Sequence, residues 1–186
     1  MITIKHLVTK KEIATFLSSI STQDPVSRLI LTQAGQILDQ EKFVHNHFYS
    51  TQALMDFIWE KLNTGHWSAV DTVWRKLFSI ISIMKVLIVI DLGEETVYDK
   101  LILKDLVKMC DIGLLMGAPV LDNVCSKLAS FFCQKVQMIK DDSKINRKYP
   151  YLHVFLKFSL ETNFKTDVVL KLVSKAKFQT SVNIRN

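Results

Sequence analysis

The feature that most constrains the fold is a stretch of eighteen residues, Trp59 to Lys76, which holds all three tryptophans of the chain. Asn63-Thr64-Gly65 lies within it, and Asn and Gly tolerate the left-handed conformation that closes a helix. Ser68 can cap a following helix, and Asp71 three residues later places negative charge at the positive end of that helix. The stretch therefore predicts two helices joined by a tight turn.

Apolar residues recur at helical spacing through most of residues 1–139, so helices are expected there as well. Thr9 and Glu12 form a capping box, and Asp24-Pro25 combines an N-cap with proline at the first helical position. Gly93 and Gly117-Ala118-Pro119 interrupt the pattern. We expect six helices: after Thr9, after Asp24, from about Ser50 or Thr51 to Leu62, from Ser68 to about Ile90, from about Glu95 to Met116, and from about Pro119 to Met138.

Helices of this length joined by short turns predict an all-α fold made of antiparallel helical hairpins. The chain has only five Gly and three Pro among its 186 residues, which argues against a turn-rich all-β fold. The sequence shows no clear self-similarity at a fixed period, so a regular repeat array is not indicated. We expect an irregular α-solenoid, similar to armadillo (ARM) or tetratricopeptide (TPR) repeats, or a compact bundle.

The charge is unevenly distributed and suggests a domain boundary near residue 139. Residues 1–139 carry 14 basic and 14 acidic side chains, whereas residues 140–186 carry 10 basic and 4 acidic ones and account for the net charge of +6. We expect a helical domain over residues 1–139 and a basic, partly ordered linker over residues 140–186. Such a tail can attract nucleic acid, but a Lys-rich segment without aromatic interleaving fits a solvated linker better.

The cysteines and the apolar runs indicate in which cellular compartment the protein is expected. Cys110, Cys125 and Cys133 are odd in number and include no CxxC pair, so buried small apolar side chains in a reducing compartment are expected. The first twenty residues lack the pattern of a secretory signal. The longest apolar run, Phe78 to Ile90, is too short to cross a bilayer. We expect a nuclear or cytoplasmic protein without membrane partners.

Side chains with catalytic or metal-binding chemistry form no recognisable constellation. The sequence has no Gly-rich phosphate loop, no HExxH or GxSxG motif, and no nucleophile with a plausible ordered base. His45 and His47 are two residues apart, so on a helix their rings point to different sides, and a solvated helix end fits them better than a metal site. We expect no catalytic, cofactor-binding or metal-binding residue in this chain.

The tryptophans allow a structural and a functional interpretation. Trp59 ends one helix, and Trp67 and Trp74 occupy one side of the next, so the rings can pack across the hairpin. If its ring is buried, Trp74→Ala costs about 3–5 kcal/mol. An exposed aromatic patch for a protein partner is the alternative, since Trp is enriched at binding hot spots. The candidate structural or interaction residues are Trp59, Lys61, Asn63, Gly65, Trp67, Asp71, Trp74 and Arg75.

Two separated segments carry a resemblance to a known family. The first contains Trp59-Glu60-Lys61-Leu62-Asn63-Thr64-Gly65, followed by Trp67, Val70-Asp71 and Trp74-Arg75, and the second runs from Cys110 to Ala118. In this order they resemble the N-terminal helical region of the JmjC-domain protein 5 family, also called lysine-specific demethylase 8, over roughly residues 50–125. The resemblance implies relatives that continue into a JmjC β-helix. It also implies that these relatives use Fe(II) and 2-oxoglutarate to hydroxylate protein arginine or demethylate histone lysine.

That chemistry needs a His-x-Asp pair and a distant His around iron, and this sequence contains no His-x-Asp. No catalytic residue therefore transfers, and Tyr149 to Phe164 only loosely resembles the segment that leads into the catalytic domain. We expect a truncated product, an alternative isoform, an incomplete gene model or a deliberately shortened protein. Its expected function is non-catalytic: to bind protein partners or to dock against an oxygenase domain. A stand-alone helical scaffold of unrelated function is the alternative.

Overall fold

The computed structural model describes residues 6–93 and 100–139, apart from the Trp67 side chain. These residues form six α-helices and no strand, which confirms the predicted all-α fold. The predicted linker at residues 140–186 lies outside them, so the domain boundary near residue 139 remains a prediction. The helices are α1 (Lys10–Ser19), α2 (Pro25–Leu38), α3 (His45–Leu62), α4 (Thr72–Leu92), α5 (Lys100–Met116) and α6 (Val124–Met138), with a 3-10 turn at Trp67–Ala69 between α3 and α4.

The predicted starts of the first two helices are confirmed, and so is the predicted turn after α3. Glu12 Oε2 accepts the Thr9 backbone N–H at 2.7 Å, and the Thr9 hydroxyl accepts the Glu12 N–H at 3.2 Å. Asp24 Oδ2 accepts the Ser27 N–H at 2.7 Å at the start of α2. Gly65 has a φ of +83°, a left-handed conformation that glycine adopts without strain.

The predicted start of α3 is wrong, since the helix begins at His45 rather than near Ser50 or Thr51. The His47 ring satisfies a backbone donor at this end, because its Nδ1 accepts the Val44 N–H at 3.2 Å. A histidine at the third helical position thus takes the role for which Glu or Gln is the usual signal in a capping box. The expectation of a solvated helix end agrees with the exposure of His45.

The predicted cap of α4 is also wrong. Asp71, not Ser68, is the N-cap, and its Oδ1 accepts the Val73 N–H at 2.9 Å. The Ser68 hydroxyl instead forms a 2.7 Å hydrogen bond with the His66 ring inside the connecting turn. At its other end α4 reaches Leu92, slightly beyond the predicted end.

α6 begins at Val124 and not near Pro119, because the three preceding residues are left-handed. Leu121, Asp122 and Asn123 have φ values of 49°, 52° and 60°. A right-handed helix cannot pass through such residues, each of which is strained by about 1–2 kcal/mol relative to the right-handed form. The predicted start of α5 near Glu95 lies outside the described residues, and α5 is described from Lys100.

α4 is the centre of the fold and contacts α2, α3, α5 and α6. Every side chain from Leu77 to Val86 is buried, as the apolar run predicted. α3 packs against one side of α4 and α5 packs against another, while α5 and α6 form the next hairpin. None of the helices within residues 6–93 and 100–139 has both the length and the apolar character that crossing a bilayer requires.

The contact between α4 and the end of α5 is made by small residues. A Cβ placed on Gly117 would lie 1.9 Å from Ser79 Oγ and 2.4 Å from the Gly113 carbonyl oxygen. The Ala118 N–H donates to Ser79 Oγ at 2.9 Å, and that hydroxyl donates to the Ala118 carbonyl at 2.7 Å. Backbone and hydroxyl therefore meet directly, without long side chains between them.

Candidate functional site

The eight residues singled out in the sequence all lie at the end of the hairpin where α3 gives way to α4. Trp59 and Lys61 are in the last turn of α3, Asn63 and Gly65 are in the connection, and Asp71 caps α4 ahead of Trp74 and Arg75. Trp67 lies in the 3-10 turn rather than in α4, so the prediction that it shares a side of that helix with Trp74 is wrong. Its side chain is not described.

Trp59 has the structural role that the sequence predicted. Its half-buried ring lies 6.1 Å, centroid to centroid, from the ring of Phe78 on α4, and Phe78 is only 1% exposed. The two rings are tilted by 43°, an arrangement that aromatic pairs favour over a face-to-face stack. Trp59 therefore joins α3 to the core of α4.

A second aromatic pair lies nearer the surface and includes a lysine. Phe57 and Trp74 have ring centroids 6.3 Å apart, and the Lys61 ammonium lies 5.5 Å from the first ring and 6.0 Å from the second. Phe57 is 37% exposed, Trp74 is half-buried and Lys61 is exposed. We call Phe57, Lys61 and Trp74 the hairpin cluster. The cation–π contacts hold the ammonium beside the rings at the edge of the solvent.

Phe57 is not among the candidate residues that the sequence predicted. Its helical spacing with Ile58 and Leu62 placed it in the apolar stripe of α3, and periodicity alone does not separate the edge of such a stripe from its centre. Its position four residues before Lys61 was the available signal, because residues four apart are neighbours on a helix surface.

The start of α2 lies close to the hairpin cluster. The Ser27 N–H donates to the Asp24 carboxylate and lowers the pKa of that group, and the positive charge of Lys61 lowers it further. The Asp24 carboxylate that precedes α2 thus adds a weak electrostatic attraction to the Lys61 ammonium.

The polar residues of the connection fix its backbone. Asn63 Nδ2 donates to the Trp59 carbonyl at 2.7 Å, and the Thr64 hydroxyl donates to the Glu60 carbonyl at 2.6 Å. Together with the Asp71 cap and the left-handed Gly65, these bonds satisfy carbonyl and N–H groups that helix ends leave without intrahelical partners. Their observed contacts are therefore structural.

Arg75 links the hairpin to the following part of the fold. It is half-buried, and its carbonyl accepts the Ala118 N–H at 3.2 Å. The second segment of the sequence resemblance, which ends at Ala118, thus contacts the first through the backbone of α4. For all eight residues, binding to a partner remains a prediction.

Cysteines and metal-ligand residues give no reactive centre in the described residues. Cys110 and Cys125 are buried as predicted, and burial raises the pKa of the Cys125 thiol to about 11 and that of Cys110 still higher. Cys133 is exposed, so the prediction that all three cysteines are buried is wrong for this residue. Within residues 6–93 and 100–139, no three His, Cys, Asp or Glu side chains come together as a metal site.

Comparisons with known proteins match the helical region. A family model described as "KDM8-like, N-terminal ARM repeats" matches residues 38–146. Lysine-specific demethylase 8 of Danio rerio is 36% identical over 86 residues, which make up 46% of this chain and 20% of the relative. Lysine-specific demethylase 8 of Xenopus tropicalis is 30% identical over 94 residues, 50% of this chain and 19% of the relative. The chain thus spans about a fifth of the length of these relatives. No solved structure matches it significantly.

Proposed function

The chain belongs to the family of KDM8-like N-terminal ARM repeats, as its tryptophan stretch predicted, and from this membership we propose that it is a non-catalytic docking region. In this proposal its helices bind a protein partner, of which the oxygenase domain of a JmjC-type protein is the first candidate. The relatives are named demethylases, and the part of them that matches this chain is about a fifth of their length. The ARM-type family description agrees with the irregular helical solenoid of the structure.

The observation that carries the proposal is the hairpin cluster. It places Trp74, a residue type enriched at protein-binding hot spots, beside the partly exposed Phe57 ring and the exposed Lys61. The two helices that carry the cluster are joined by the contact between the Trp59 and Phe78 rings, so the hairpin is packed before any partner arrives. A preorganised surface loses less side-chain entropy on binding than a mobile one.

A docking role fits the chemistry of the chain better than an enzymatic one. Oxygenases of the JmjC type need a His-x-Asp pair as part of an iron site, and this sequence has none. His45 and His47 do not fit that donor set, because the described residues bring no third metal ligand near them. We derive no iron or 2-oxoglutarate step from this chain. Nuclear or cytoplasmic localisation and weak nucleic-acid binding by residues 140–186 remain secondary parts of the proposal.

The test is direct binding to the rest of a relative. The Danio rerio protein lacking the 86 residues that match this chain is titrated with this chain by calorimetry. We expect saturable binding that weakens at least tenfold in the double variant Phe57→Ser, Lys61→Glu. Leu115→Ser is the matched control, since Leu115 is 75% exposed but lies at the end of α5, outside the cluster.

The outcomes separate the proposal from its alternative. Absence of binding would overturn docking to an oxygenase domain and favour a stand-alone scaffold. If the double variant and Leu115→Ser weakened binding equally, the hairpin cluster would not be the contact surface. Saturable binding of 2-oxoglutarate by this chain alone would contradict its non-catalytic character.

A further inference from the structure

A buried lysine lies between the two helices of the hairpin, away from the cluster. Lys85 is in the middle of α4 and is only 4% exposed, in a run of otherwise uncharged buried side chains. Its ammonium lies 4.8 Å from the centroid of the Phe48 ring on α3 and donates a hydrogen bond to Gln52 Oε1 on the same helix. Lysine is almost never buried to this degree without a charged partner.

The ammonium is incompletely satisfied in this position. A protonated lysine carries three N–H donors, and one acceptor, the Gln52 amide oxygen, meets them among the described residues. The Gln52 amide nitrogen donates in turn to Asp56 Oδ1 at 2.7 Å, so the amide bridges the ammonium to an exposed carboxylate. Lys85 is therefore connected to Asp56 without a direct ion pair.

We propose that Lys85 is a protonation switch in the α3–α4 hairpin: the charged amine loosens the packing of the two helices, and the neutral amine tightens it. A buried charge with one hydrogen bond is strongly disfavoured. A neutral amine gives up the cation–π attraction to Phe48, but it can still donate to Gln52 and avoids most of that penalty. This role is independent of the proposed docking function.

The charges near Lys85 are few. Burial is the main effect and lowers the Lys85 pKa to about 8, while the Asp56 carboxylate acts in the opposite direction. None of the other charged or histidine side chains on the helices in contact with α4 acts on it among the described residues. Those side chains are Arg28 on α2, His45, His47, Glu60 and Lys61 on α3, Lys100, Lys104, Asp105, Lys108 and Asp111 on α5, and Lys127 and Lys135 on α6.

The sign of the pH effect follows from these values. In the unfolded chain Lys85 has the pKa of an ordinary lysine, about 10.4, so between about pH 8 and 10 the unfolded state binds one more proton than the folded state. Folding is therefore favoured increasingly as the pH rises through this range. The unfolding equilibrium constant falls by up to about tenfold per pH unit from this one group.

The direct test is the titration of Lys85 in the full chain, followed by NMR of the lysine side-chain carbons and assigned with Lys85→Arg. We expect a titration midpoint near pH 8 for Lys85. Gln52→Leu and Asp56→Asn should each lower the Lys85 midpoint, because each removes a group that favours the charged form. A Lys85 midpoint near about 10.4, the value of an ordinary lysine, would overturn the proposal.

The stability test uses urea unfolding of the wild type and of Lys85→Met between pH 7 and 10. The ratio of their unfolding constants, wild type over variant, should fall as the pH rises, since only the wild type releases this proton on folding. Lys108→Met, which removes an exposed lysine of α5, is the control variant. If the ratio of unfolding constants for Lys85→Met did not change with pH, Lys85 would not be a switch, even with a titration midpoint near pH 8.

Discussion

The two sides of α4 are packed in opposite ways. Toward α3 the contact uses large side chains, with the rings of Trp59 and Phe78 in the interior and Phe57 and Trp74 at the surface. Toward the end of α5 it uses small ones, and the backbone of Gly117 and Ala118 lies directly against Ser79. Large rings can change position and can stay partly exposed to solvent. A direct contact with the backbone allows no such movement. The first side therefore carries partly exposed aromatic rings, whereas the contact of Gly117 with Ser79 leaves no space for a larger side chain.

The largest predicted effect breaks the small-residue side. Gly117→Ala should destabilise the protein by about 3 kcal/mol or more, because the new Cβ would meet Ser79 Oγ at 1.9 Å and the Gly113 carbonyl at 2.4 Å. The carbonyl belongs to the backbone and cannot rotate away. Urea unfolding monitored by circular dichroism measures the loss.

Gly35→Ala is the matched control for this prediction. Gly35 is inside α2, and a Cβ there would meet no atom within 4 Å, so the same change should stabilise the protein by about 0.5–1 kcal/mol. If both substitutions changed the stability by the same amount and in the same direction, helix propensity rather than the close approach of Ser79 would govern both positions.

On the aromatic side, Trp74→Ala should cost about 2 kcal/mol. This is below the 3–5 kcal/mol expected for a buried ring, because Trp74 is half-buried and the Phe57 ring can move into part of the space. The more exposed Phe57→Ala should cost less than about 1 kcal/mol. A loss above 4 kcal/mol for Trp74→Ala would place this ring in the core and weaken the case for a binding surface.

The connection between the helices is tested by its caps. Asp71→Ala should destabilise the protein by about 1 kcal/mol, since the Asp71 carboxylate accepts the Val73 N–H at the start of α4. Ser68→Ala should change the stability by less than about 0.5 kcal/mol, because its hydroxyl bonds only within the exposed turn. The reverse order would restore Ser68 as the cap that the sequence predicted.

The smallest effect concerns the thiols. Cys133→Ser should change stability by less than about 0.5 kcal/mol, because Cys133 is exposed on α6. In the native wild type a thiol reagent should label Cys133 alone, since burial raises the pKa values of Cys110 and Cys125 and hides their sulfur atoms. Mass spectrometry after labelling identifies the site, and rapid modification of Cys125 would contradict its burial.

The sequence was sufficient where a signal is local. Thr9 with Glu12, Asp24 before Pro25, and Asn63-Thr64-Gly65 each satisfy backbone groups within a few residues, so these boundaries were predicted correctly. The family was also recognisable, because the amino-acid sequences of two segments, Trp59 to Arg75 and Cys110 to Ala118, are distinctive.

The sequence was insufficient where a tertiary contact or an unusual residue determines a helix boundary or the exposure of a side chain. The His47 ring takes over a capping role, and three left-handed residues, Leu121 to Asn123, delay α6 without a glycine. The exposure of Cys133 and Phe57 depends on which helices pack against their faces, and helical periodicity does not specify the neighbours. Lys85 similarly looks like an interruption of an apolar run until its contacts with α3 are known.

In our proposal the aromatic end of the α3–α4 hairpin binds a partner, and the small-residue contact between α4 and the end of α5 holds the fold. The most direct test measures backbone hydrogen exchange in the full chain, with and without the Danio rerio relative that lacks its matching segment. We predict slower exchange over residues 57–62 and at the start of α4 when the partner is added, with no change in α5 and α6. Protection confined to α5 and α6, or protection nowhere, would contradict the claim.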